Sequence, residues 1–296
     1  MSAKIDLHMH TSASDGVLTP MQLLDLVRES NLYCFSVTDH DTIEGGDAIN
    51  EALAAGDPKF ITGVELSVDC FGADMHMLAY GFDAADKNLR TSLDSFQVMR
   101  KERGAKIVDR LRAQGVEIEH ETVARIAGSS VVGRPHIAEA LIEHRVVRTV
   151  EEGFRKYLGY DCPAYVPKTT WDPKVAIESV HQAGGITIMA HPGIAEMHTY
   201  IERLVPMGLD GIEVYHTNHS SSQSNQLRET AKRFGLLMSG GTDFHGRPGR
   251  NFPLGMAGMT RELLDALLAR IDDVQSARRD SVVSSQAYTS KGTLSL

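Results

Sequence analysis

Short apolar segments alternate with helical segments over residues 1–82 and 168–280, and this alternation constrains the fold more than any other feature. The apolar segments are rich in β-branched and aromatic residues: YCFSVTDHD, KFITGVELSVD, DMHMLAYGF, ITIMAH, GIEVYH and LLMSGGTDFH. Between them lie helical patterns such as MQLLDLVRES, which Thr19 and Pro20 open as N-cap and first helical residue. Strands separated by helices of this length pair in parallel. The pattern therefore favours an α/β fold whose sheet is a closed or nearly closed (β/α) barrel.

The pattern changes between Asp83 and Pro167. A long helical stretch, SLDSFQVMRKERGAKIVDRLRAQG, is followed by shorter helical pieces and glycine-marked turns. We interpret residues 83–167 as a helical insertion domain over the mouth of the barrel, which residues 1–82 and 168–280 form. Residues 281–296 are polar and loosely patterned, and we predict a C-terminal tail there.

Nearly every predicted strand ends in a histidine, an aspartate or a glutamate. The C-terminal ends of the strands in a parallel barrel meet at one face, where the active site lies. Side chains two residues apart on a strand share a face, so His8 and His10 can converge on one point. These positions supply six imidazoles and three carboxylates as candidate metal ligands: His8, His10, Asp15, His40, Glu65, His76, His191, Asp243 and His245.

Nine ligands are too many for one ion and suit two or three divalent ions, with Glu65 able to bridge two of them. Imidazoles and carboxylates without thiolates suit Mn, Fe or Zn. A core or surface packing role is adequate for any one of these histidines. It does not explain six histidines at strand ends, several of them beside carboxylates.

Six sequence blocks, taken in order, resemble the signature blocks of the polymerase and histidinol phosphatase (PHP) family. They are DLHMHTSASDG, TDHD, GVELS, the isolated strand residue His76, AHP and GTDFH. The resemblance covers residues 4–82 and 168–250 and implies a distorted, TIM-like (β/α)7 barrel with a trinuclear metal centre and phosphoesterase activity. It also implies three ligand sets: His8, His10, Glu65 and Asp243; Glu65, His76 and His191; and Asp15, His40 and His245.

The implied chemistry is in-line attack on phosphorus by a metal-bound hydroxide that bridges two ions, with Glu65 and Asp243 as catalytic ligands. His219, in YHTNHSSSQSNQ, is a candidate to protonate the leaving 3′ oxygen or to bind phosphate, and a surface position fits it equally well. Asp39 is a candidate to orient a ligand, or alternatively a turn carboxylate.

The predicted insertion contributes a candidate anion site. SSVVGRPHIA places Arg134 and His136 just before a helix predicted to start near Ile137, and Lys168 follows in YVPKTTWDP. An arginine at a helix N-terminus is suited to bind an anion. The arrangement resembles the PHP branch that removes the 3′-phosphate of nucleoside 3′,5′-bisphosphates and trims short 5′-phosphorylated oligonucleotides. The resemblance implies that Arg134, Lys168 and His136 hold the 5′-phosphate, with His219 as a further candidate.

Three other functions stay open at this point. A histidinol-phosphate-type phosphomonoesterase would share the metal chemistry but would not need the second anion site. A metal-stabilised nucleic-acid-binding module would bind its partner without catalysis. A metal-dependent amide hydrolase would share the barrel but would have no use for the Arg and Lys residues of the anion site.

Composition narrows these choices. The net charge of −9 argues against a protein that coats long nucleic acid. The partners that the resemblance implies are small nucleotides or short RNA or DNA oligonucleotides, and the charge does not choose between them. The three widely spaced cysteines predict neither a disulfide framework nor a thiolate zinc site. Because the sequence contains no signal peptide pattern and no apolar run of about 18 residues, we expect a cytoplasmic enzyme that does not bind membranes.

Overall fold

The computed structural model describes residues 4–128, 132–247 and 252–291, with the backbone alone for residues 281–291. Seven strands form one sheet in chain order. They are β1 (Lys4–Asp6), β2 (Leu32–Val37), β3 (Lys59–Cys70), β4 (Ala73–Tyr80), β5 (Ile186–Met189), β6 (Gly211–His216) and β7 (Leu237–Gly241). Four neighbouring pairs are parallel, whereas β4 runs antiparallel to both β3 and β5. The α/β class is confirmed, and the prediction of parallel pairing is wrong for β4.

β4 runs antiparallel because it follows β3 through a two-residue turn. Phe71 and Gly72 have φ angles of 58° and 89°, and they join Cys70 to its strand partner Ala73. Two residues with positive φ in a two-residue loop are typical of a type I′ hairpin, whose twist matches that of the paired strands. The loop leaves no room for a crossover helix, so the chain reverses direction.

The described residues contain ten α-helices. They are α1 (Pro20–Glu29), α2 (Glu44–Ala52), α3 (Lys87–Ala113), α4 (His120–Ala127), α5 (Arg134–Glu143), α6 (Val150–Gly153), α7 (Pro173–Gln182), α8 (Ile201–Leu204), α9 (Ser221–Phe234) and α10 (Arg261–Lys291). A π-helix spans Phe154–Leu158, and 3₁₀ turns span Ile194–Tyr200 and Val205–Met207. Helix α1 begins as predicted, because the Thr19 side chain accepts a hydrogen bond from the Gln22 backbone N–H.

Three predicted segments differ from the structure. Helix α5 begins at Arg134 rather than near Ile137, because Pro135 suits the first helical turn and the Nδ1 atom of His136 accepts a hydrogen bond from the Gly133 N–H. The segment YIERLVPMG forms the short α8 and a 3₁₀ turn instead of one helix. Residues 281–291 continue α10, so the predicted tail begins within a helix, and residues 292–296 lie outside the described residues.

Both faces of the sheet are covered by apolar side chains. On one face, alternate strand residues such as Ile5, Leu78 and Ile188 pack with Leu264 and Leu267 of α10. On the other face, strand residues pack against α1 and α2 in one cluster and against α7 and α9 in another. Burying each such side chain contributes about 1.5–3 kcal/mol to the free energy of folding. This packing fixes the strand ends from which the polar side chains project.

The described part of residues 83–167 consists of helices and turns. Its apolar side chains, including Ile107, Val123, Ile137 and Leu158, form a cluster of their own. Helix α3 links this cluster to the sheet, because the residues of its first half, such as Leu93, pack in a cluster with strand and α7 residues.

The segment that follows β1 forms hydrogen bonds with β7 and the segment after it, and with the segment that follows β2. The Leu7 N–H donates to the Gly240 carbonyl at 3.2 Å, and the His10 N–H donates to the Phe244 carbonyl at 2.8 Å. On the other side, the Thr38 N–H donates to the Met9 carbonyl at 2.8 Å. Within the ranges that the structure describes, no helix combines the length and the apolar character needed to span a bilayer.

Candidate metal centre

Five imidazoles surround the buried carboxylate of Glu65, which is 1% exposed. Its Oε2 atom lies 3.2 Å from Nε2 of His8 and of His10 and 3.3 Å from Nδ1 of His40. Its Oε1 atom lies 2.9 Å from Nδ1 of His76 and 3.3 Å from Nε2 of His191. Glu65 is therefore placed at the centre of the predicted ligands.

The other two predicted carboxylates lie beside the same imidazoles. The Oδ1 atom of Asp243 is 3.2 Å from Nε2 of His10 and 3.4 Å from Nε2 of His8. The Oδ1 atom of Asp15 is 3.2 Å from Nε2 of His245, and within 4.0 Å of His10 and His40. The structure thus brings all nine predicted ligands together.

The sheet positions these side chains, although two of them do not lie at C-terminal strand ends. Glu65 lies in the middle of β3, which continues to Cys70, and His76 lies near the middle of β4, paired with Ser67. Because β4 is antiparallel, its first half reaches the edge that the parallel strands reach with their last residues. Gly241 permits β7 to approach the first ligand, since a Cβ atom there would lie 2.3 Å from the Cβ of His8.

Two of the predicted ligands have backbones in the left-handed region. The φ angle is 53° at Asp243 and 30° at His191. Such conformations cost about 1–3 kcal/mol each in residues other than glycine and cluster at functional sites. The Phe244 N–H donates to the His8 carbonyl at 3.3 Å, and the His191 N–H donates to Oε2 of Glu213 at 2.8 Å. These bonds hold both turns.

Burial and nearby opposite charges shift the pKa values of the predicted ligands in opposite directions. Burial alone would raise the pKa of Glu65, but the nearby imidazoles of His40 and His8 hold that pKa well below its usual range. The pKa of Asp243 is held well below its usual range in the same way, against burial, by His8 and His10. Burial would lower the pKa of His10, yet the carboxylates of Asp243 and Glu65, each 3.2 Å from its Nε2 atom, raise it to about 10. The carboxylates are therefore ionised and ready to bind cations.

The donor set fits divalent metal ions. Four groups of side chains bring one ligand atom from each member within 4.8 Å of one another: His10, Asp15, His40 and His245; His8, His10, Glu65 and Asp243; His8, Glu213 and His216; and His40, Glu65 and His76. Among the described residues, both ring nitrogens of His10 and Nδ1 of His40 are buried without a hydrogen-bond partner. Buried polar atoms of this kind are costly unless something binds them. A metal ion would satisfy one nitrogen of each of these rings, because a neutral imidazole has one lone pair to give and carries its proton on the other nitrogen.

Two of these groups agree with ligand sets that the resemblance implies, with His10 added to the set of Asp15, His40 and His245. The remaining implied set was Glu65, His76 and His191, and in the corresponding group of the structure His40 takes the place of His191. His191 reaches the same Oε1 atom of Glu65 as His76 does.

Sequence reasoning did not select Glu213 or His216 as members of the centre. Glu213 is fully buried, and its Oε1 atom lies 3.0 Å from Nδ1 of His8. The Nε2 atom of His216 lies 3.6 Å from Oδ2 of Asp243. Both residues belong to GIEVYH, where an acidic residue inside an apolar strand was the available signal.

Asp39 holds a loop rather than a ligand side chain. Its carboxylate accepts hydrogen bonds from the N–H and hydroxyl of Thr11 and from the hydroxyl of Ser14, at 2.6–2.7 Å. This loop carries Asp15, so Asp39 positions one predicted ligand through the backbone.

The predicted anion-binding residues occupy an adjacent region. The guanidinium of Arg134 lies 5.4–5.9 Å from the ring centroids of Phe154, Tyr160 and Tyr165. Lys168 lies next to the metal centre, with its Nζ atom 3.4 Å from Nε2 of His76 and 3.3 Å from Oδ1 of Asp74. Burial lowers the pKa of Lys168, and Asp74 opposes that shift.

A small cleft lies beside Lys168. It has a volume of about 150 Å³, and Tyr160, Tyr165, Lys168 and Asp74 are among its lining residues. The same two tyrosines contact Arg134, which is not itself among the lining residues.

The two remaining predicted substrate residues bond to the backbone. The Nδ1 atom of His136 accepts from the Gly133 N–H at 3.1 Å and so caps α5. His219 donates from Nδ1 to the Val214 carbonyl and accepts at Nε2 from the Gly193 N–H, each at 3.1 Å. Burial lowers the pKa of both imidazoles. A proton-donor role for His219 would require one of its bonds to break, so the structure does not favour that prediction.

A sheet edge that gathers buried imidazoles and carboxylates, with cations beside them, defines a metal-dependent hydrolase that acts on an anionic substrate. The chain belongs to the PHP domain family, whose model matches residues 6–156. It is therefore a PHP-family phosphoesterase, as the sequence blocks predicted.

Known relatives resemble the chain over most of its length. A 5′-3′ exoribonuclease of Haemophilus influenzae is 32% identical over 275 residues, covering 90% of this chain and 98% of that protein. A 3′,5′-nucleoside bisphosphate phosphatase of Chromobacterium violaceum is 34% identical over 258 residues, covering 84% and 90%. Among solved structures, an amidohydrolase from Chromobacterium violaceum, determined with bound sulfate and no metal, has a TM-score of 0.79 and 30% identity, covering 90% of this chain and 97% of that one.

Proposed function

We propose that this phosphoesterase removes the 3′-phosphate of nucleoside 3′,5′-bisphosphates to give 5′-nucleotides, and that it also trims short 5′-phosphorylated oligonucleotides. The observation that carries the proposal is the contact between Lys168 and His76, which places a cationic side chain directly beside the metal centre. A substrate with two phosphates would use both places at once. The activities for which the two relatives above are named support this choice.

In this proposal the sheet is a distorted (β/α)7 barrel, and residues 83–167 form a helical insertion over its mouth. The bonds of Leu7 to Gly240 and of His10 to Phe244 support closure between the first and last strands. The separate apolar cluster of the helical segment supports an insertion with its own core.

Two or three divalent ions (Mn, Fe or Zn) would be held by His8, His10, Asp15, His40, Glu65, His76, His191, Asp243 and His245. When bound, such ions supply charge neutralisation for phosphoryl oxygens and acidify water, which is the chemistry that phosphoester hydrolysis needs. The two Glu65 oxygens face different sets of imidazoles, so this carboxylate is the candidate bridge.

Arg134 and Lys168 hold the 5′-phosphate in the proposed complex. The guanidinium of Arg134 lies among three aromatic rings and donates to the Leu158 carbonyl at 3.3 Å. A planar guanidinium suits two parallel hydrogen bonds to a phosphate. Lys168 supplies a compact charge between that phosphate and the ester that is cleaved. His136 stabilises the first turn of α5 on which Arg134 lies.

The overall reaction is hydrolysis of the 3′ ester. A water oxygen forms a bond to phosphorus, the bond between phosphorus and the 3′ oxygen breaks, and a proton passes to the 3′ oxygen. Holding the distant 5′-phosphate fixes the 3′ ester against the centre, and this positioning raises the rate of the chemical step.

The test is phosphate release by manganese-loaded protein from adenosine 3′,5′-bisphosphate, 3′-AMP and 5′-AMP. We expect fast release from the bisphosphate with 5′-AMP as product, slower release from 3′-AMP, and little from 5′-AMP. Comparable rates on 3′-AMP and the bisphosphate would contradict the second phosphate site.

The variant Arg134→Ala tests the same site from the protein side. We expect kcat/KM to fall about 10–100-fold on the bisphosphate and little on 3′-AMP, because a charged hydrogen bond contributes about 1.5–3 kcal/mol. Arg112→Ala is the matched control, since Arg112 pairs with Glu119 on the exposed surface of the same helical segment. Little loss on either substrate would instead indicate a phosphomonoesterase that does not use this site, and equal losses on both would contradict a role for Arg134 in binding the 5′-phosphate.

A further inference from the structure

Glu213 contacts two predicted metal ligands that belong to different strands. Its Oε1 atom lies 3.0 Å from Nδ1 of His8, and its Oε2 atom accepts from the backbone N–H of His191 at 2.8 Å. The side chains of Glu213 and His8 are fully buried. One carboxylate thus joins the end of β1 to the end of β5 from its place on β6.

The first contact determines which nitrogen of His8 can bind a metal. An ionised carboxylate can only accept hydrogen bonds, so a short contact with Nδ1 places the imidazole proton there. The lone pair then lies on Nε2, which faces Oε2 of Glu65 at 3.2 Å and Oδ1 of Asp243 at 3.4 Å. This is the arrangement that orients histidine ligands in metal sites.

The second contact acts on the backbone of His191. Its φ angle of 30° lies in the left-handed region, where a residue with a side chain is strained. The bond from the His191 N–H to Glu213 stabilises that turn, and the turn directs Nε2 of His191 to Oε1 of Glu65 at 3.3 Å.

We infer that Glu213 is a positioning residue for the metal centre: it fixes the proton of His8 on Nδ1 and the backbone turn of His191, so that both imidazoles present Nε2 toward Glu65. The inference rests on the metal centre of the proposed function and not on the choice of substrate. Glu213 itself is not a ligand in this assignment.

Glu213→Gln separates the two contacts. A carboxylate accepts from both His8 and His191, whereas an amide has one oxygen and must turn its NH₂ group toward one of the two donors. We expect the affinity for Mn²⁺, measured by titration calorimetry, to fall about 10–100-fold, and the number of ions retained per chain to fall with it.

Asp210→Asn is the matched control. Asp210 is a buried carboxylate three residues earlier, and it contacts His181, Thr187 and Arg270 rather than the centre. We expect its Mn²⁺ affinity to stay within twofold of the unaltered protein. An unchanged affinity in Glu213→Gln, or an equal loss in both variants, would overturn the inference.

A second measurement needs no variant. Nitrogen-15 NMR of histidine-labelled protein, loaded with diamagnetic Zn²⁺, reports which His8 nitrogen carries the proton. A proton on Nδ1 supports the assignment. A proton on Nε2, with Nδ1 bound to the metal, would place Glu213 among the ligands and overturn it. Because neither measurement uses a nucleotide, failure of the bisphosphate assay would leave this result unaffected.

Discussion

At the scale of single residues, Glu65 is a buried carboxylate surrounded by imidazoles. Five imidazole nitrogens lie 2.9–3.3 Å from its two oxygens, and its side chain is 1% exposed. Only a carboxylate can present an acceptor to donors or cations on both sides. Its chemistry therefore depends on charge as well as on shape.

Glu65→Gln tests this dependence. The amide keeps the volume but loses the charge and one acceptor, so we expect at least one fewer metal ion per chain and an activity at least about 100-fold lower. Elemental analysis of the purified protein and phosphate release measure the two effects. Glu178→Gln, an exposed Glu paired with Lys174, is the control. Full metal content in Glu65→Gln would contradict the bridging position.

Arg134 differs from an ordinary surface arginine because three aromatic rings surround its guanidinium. Arg134→Lys keeps the charge but loses the planar contacts with these rings. We expect KM for adenosine 3′,5′-bisphosphate to rise about 5–30-fold, since such cation–π contacts contribute about 1–2 kcal/mol together. Arg112→Lys should behave like the unaltered protein in the same assay. A KM that does not change would show that charge alone is sufficient.

The sequence identified candidate site residues wherever a polar or ionisable side chain stood in an apolar strand pattern. Histidines and carboxylates at predicted strand ends are conspicuous, and nine of them converge in the structure. Glu213 was not selected because the inward direction of its side chain depends on the register of β6. That register is set by contacts with β5 and β7, far away in sequence.

At the scale of elements, one device recurs: a buried aspartate accepts both the backbone N–H and the hydroxyl of a single Ser or Thr on a neighbouring segment. The pairs are Asp6 with Thr242, Asp39 with Thr11, Asp41 with Ser67, and Asp210 with Thr187. Three of them lie next to predicted ligands. They hold the strand ends in place without taking part in the chemistry.

Helix α3 contributes to one of these aspartate pairs, Asp41 with Ser67. Arg100 donates to Oδ2 of Asp41 at 2.7 Å and to the His40 carbonyl at 3.2 Å, and Gln97 donates to the Asp41 carbonyl at 2.8 Å. The helical segment therefore contacts the turn that carries a predicted ligand, His40.

Arg100→Met leaves the Asp41 carboxylate, which is 1% exposed, without its cation. Loss of one partner of a buried pair costs about 3–5 kcal/mol of unfolding free energy, and we expect about 2–3 because Ser67 still donates to Asp41. Urea unfolding measures the change. Arg90→Met removes an exposed pair with Asp47 and should cost less than about 1 kcal/mol. Equal effects of the two substitutions would contradict a stabilising role of the Arg100–Asp41 pair. Adding Asp41→Asn to Arg100→Met should recover part of the lost unfolding free energy.

The antiparallel direction of β4 could not be predicted from the sequence. The strand itself was predicted, but Phe71-Gly72 lacks the Asn-Gly or Asp-Gly signal that marks a two-residue hairpin. Phenylalanine with positive φ is unusual, and the surrounding strand pairing imposes it. The reversal determines where His76 lies on β4. The sequence predicted that His76 contacts Glu65, but it did not predict that His76 lies near the middle of its strand rather than at the end.

At the scale of the whole molecule, the metal centre concentrates ionisable groups in a buried region, but other buried carboxylates also affect the stability of the fold. Asp210 is 8% exposed. It accepts from the Thr187 N–H, lies 2.6 Å from Nε2 of His181, and receives two bonds of 3.0 Å from Arg270 on α10. It thus joins β5, α7 and the last helix at the start of β6.

This environment predicts how stability depends on pH. Burial would raise the pKa of Asp210, but His181, the Thr187 N–H and Arg270 hold it below its usual value. A carboxyl group whose pKa is lower in the folded state binds protons more readily when unfolded. Its contribution is therefore complete above the unfolded pKa of about 3.9 and is lost as the pH falls through the folded value.

Asp210→Asn removes this titration while keeping the size of the side chain. We expect the variant to be less stable than the unaltered protein by about 1–3 kcal/mol at pH 7, because charged hydrogen bonds are lost. Below about pH 4 the difference should shrink, since the unaltered protein then loses the same interaction by protonation. Urea midpoints of both proteins at several pH values, in metal-free buffer, measure the difference, and the carboxylates of the metal centre cancel because both proteins contain them. A difference that stays constant down to pH 3 would contradict a pKa of Asp210 that is lower in the folded than in the unfolded state.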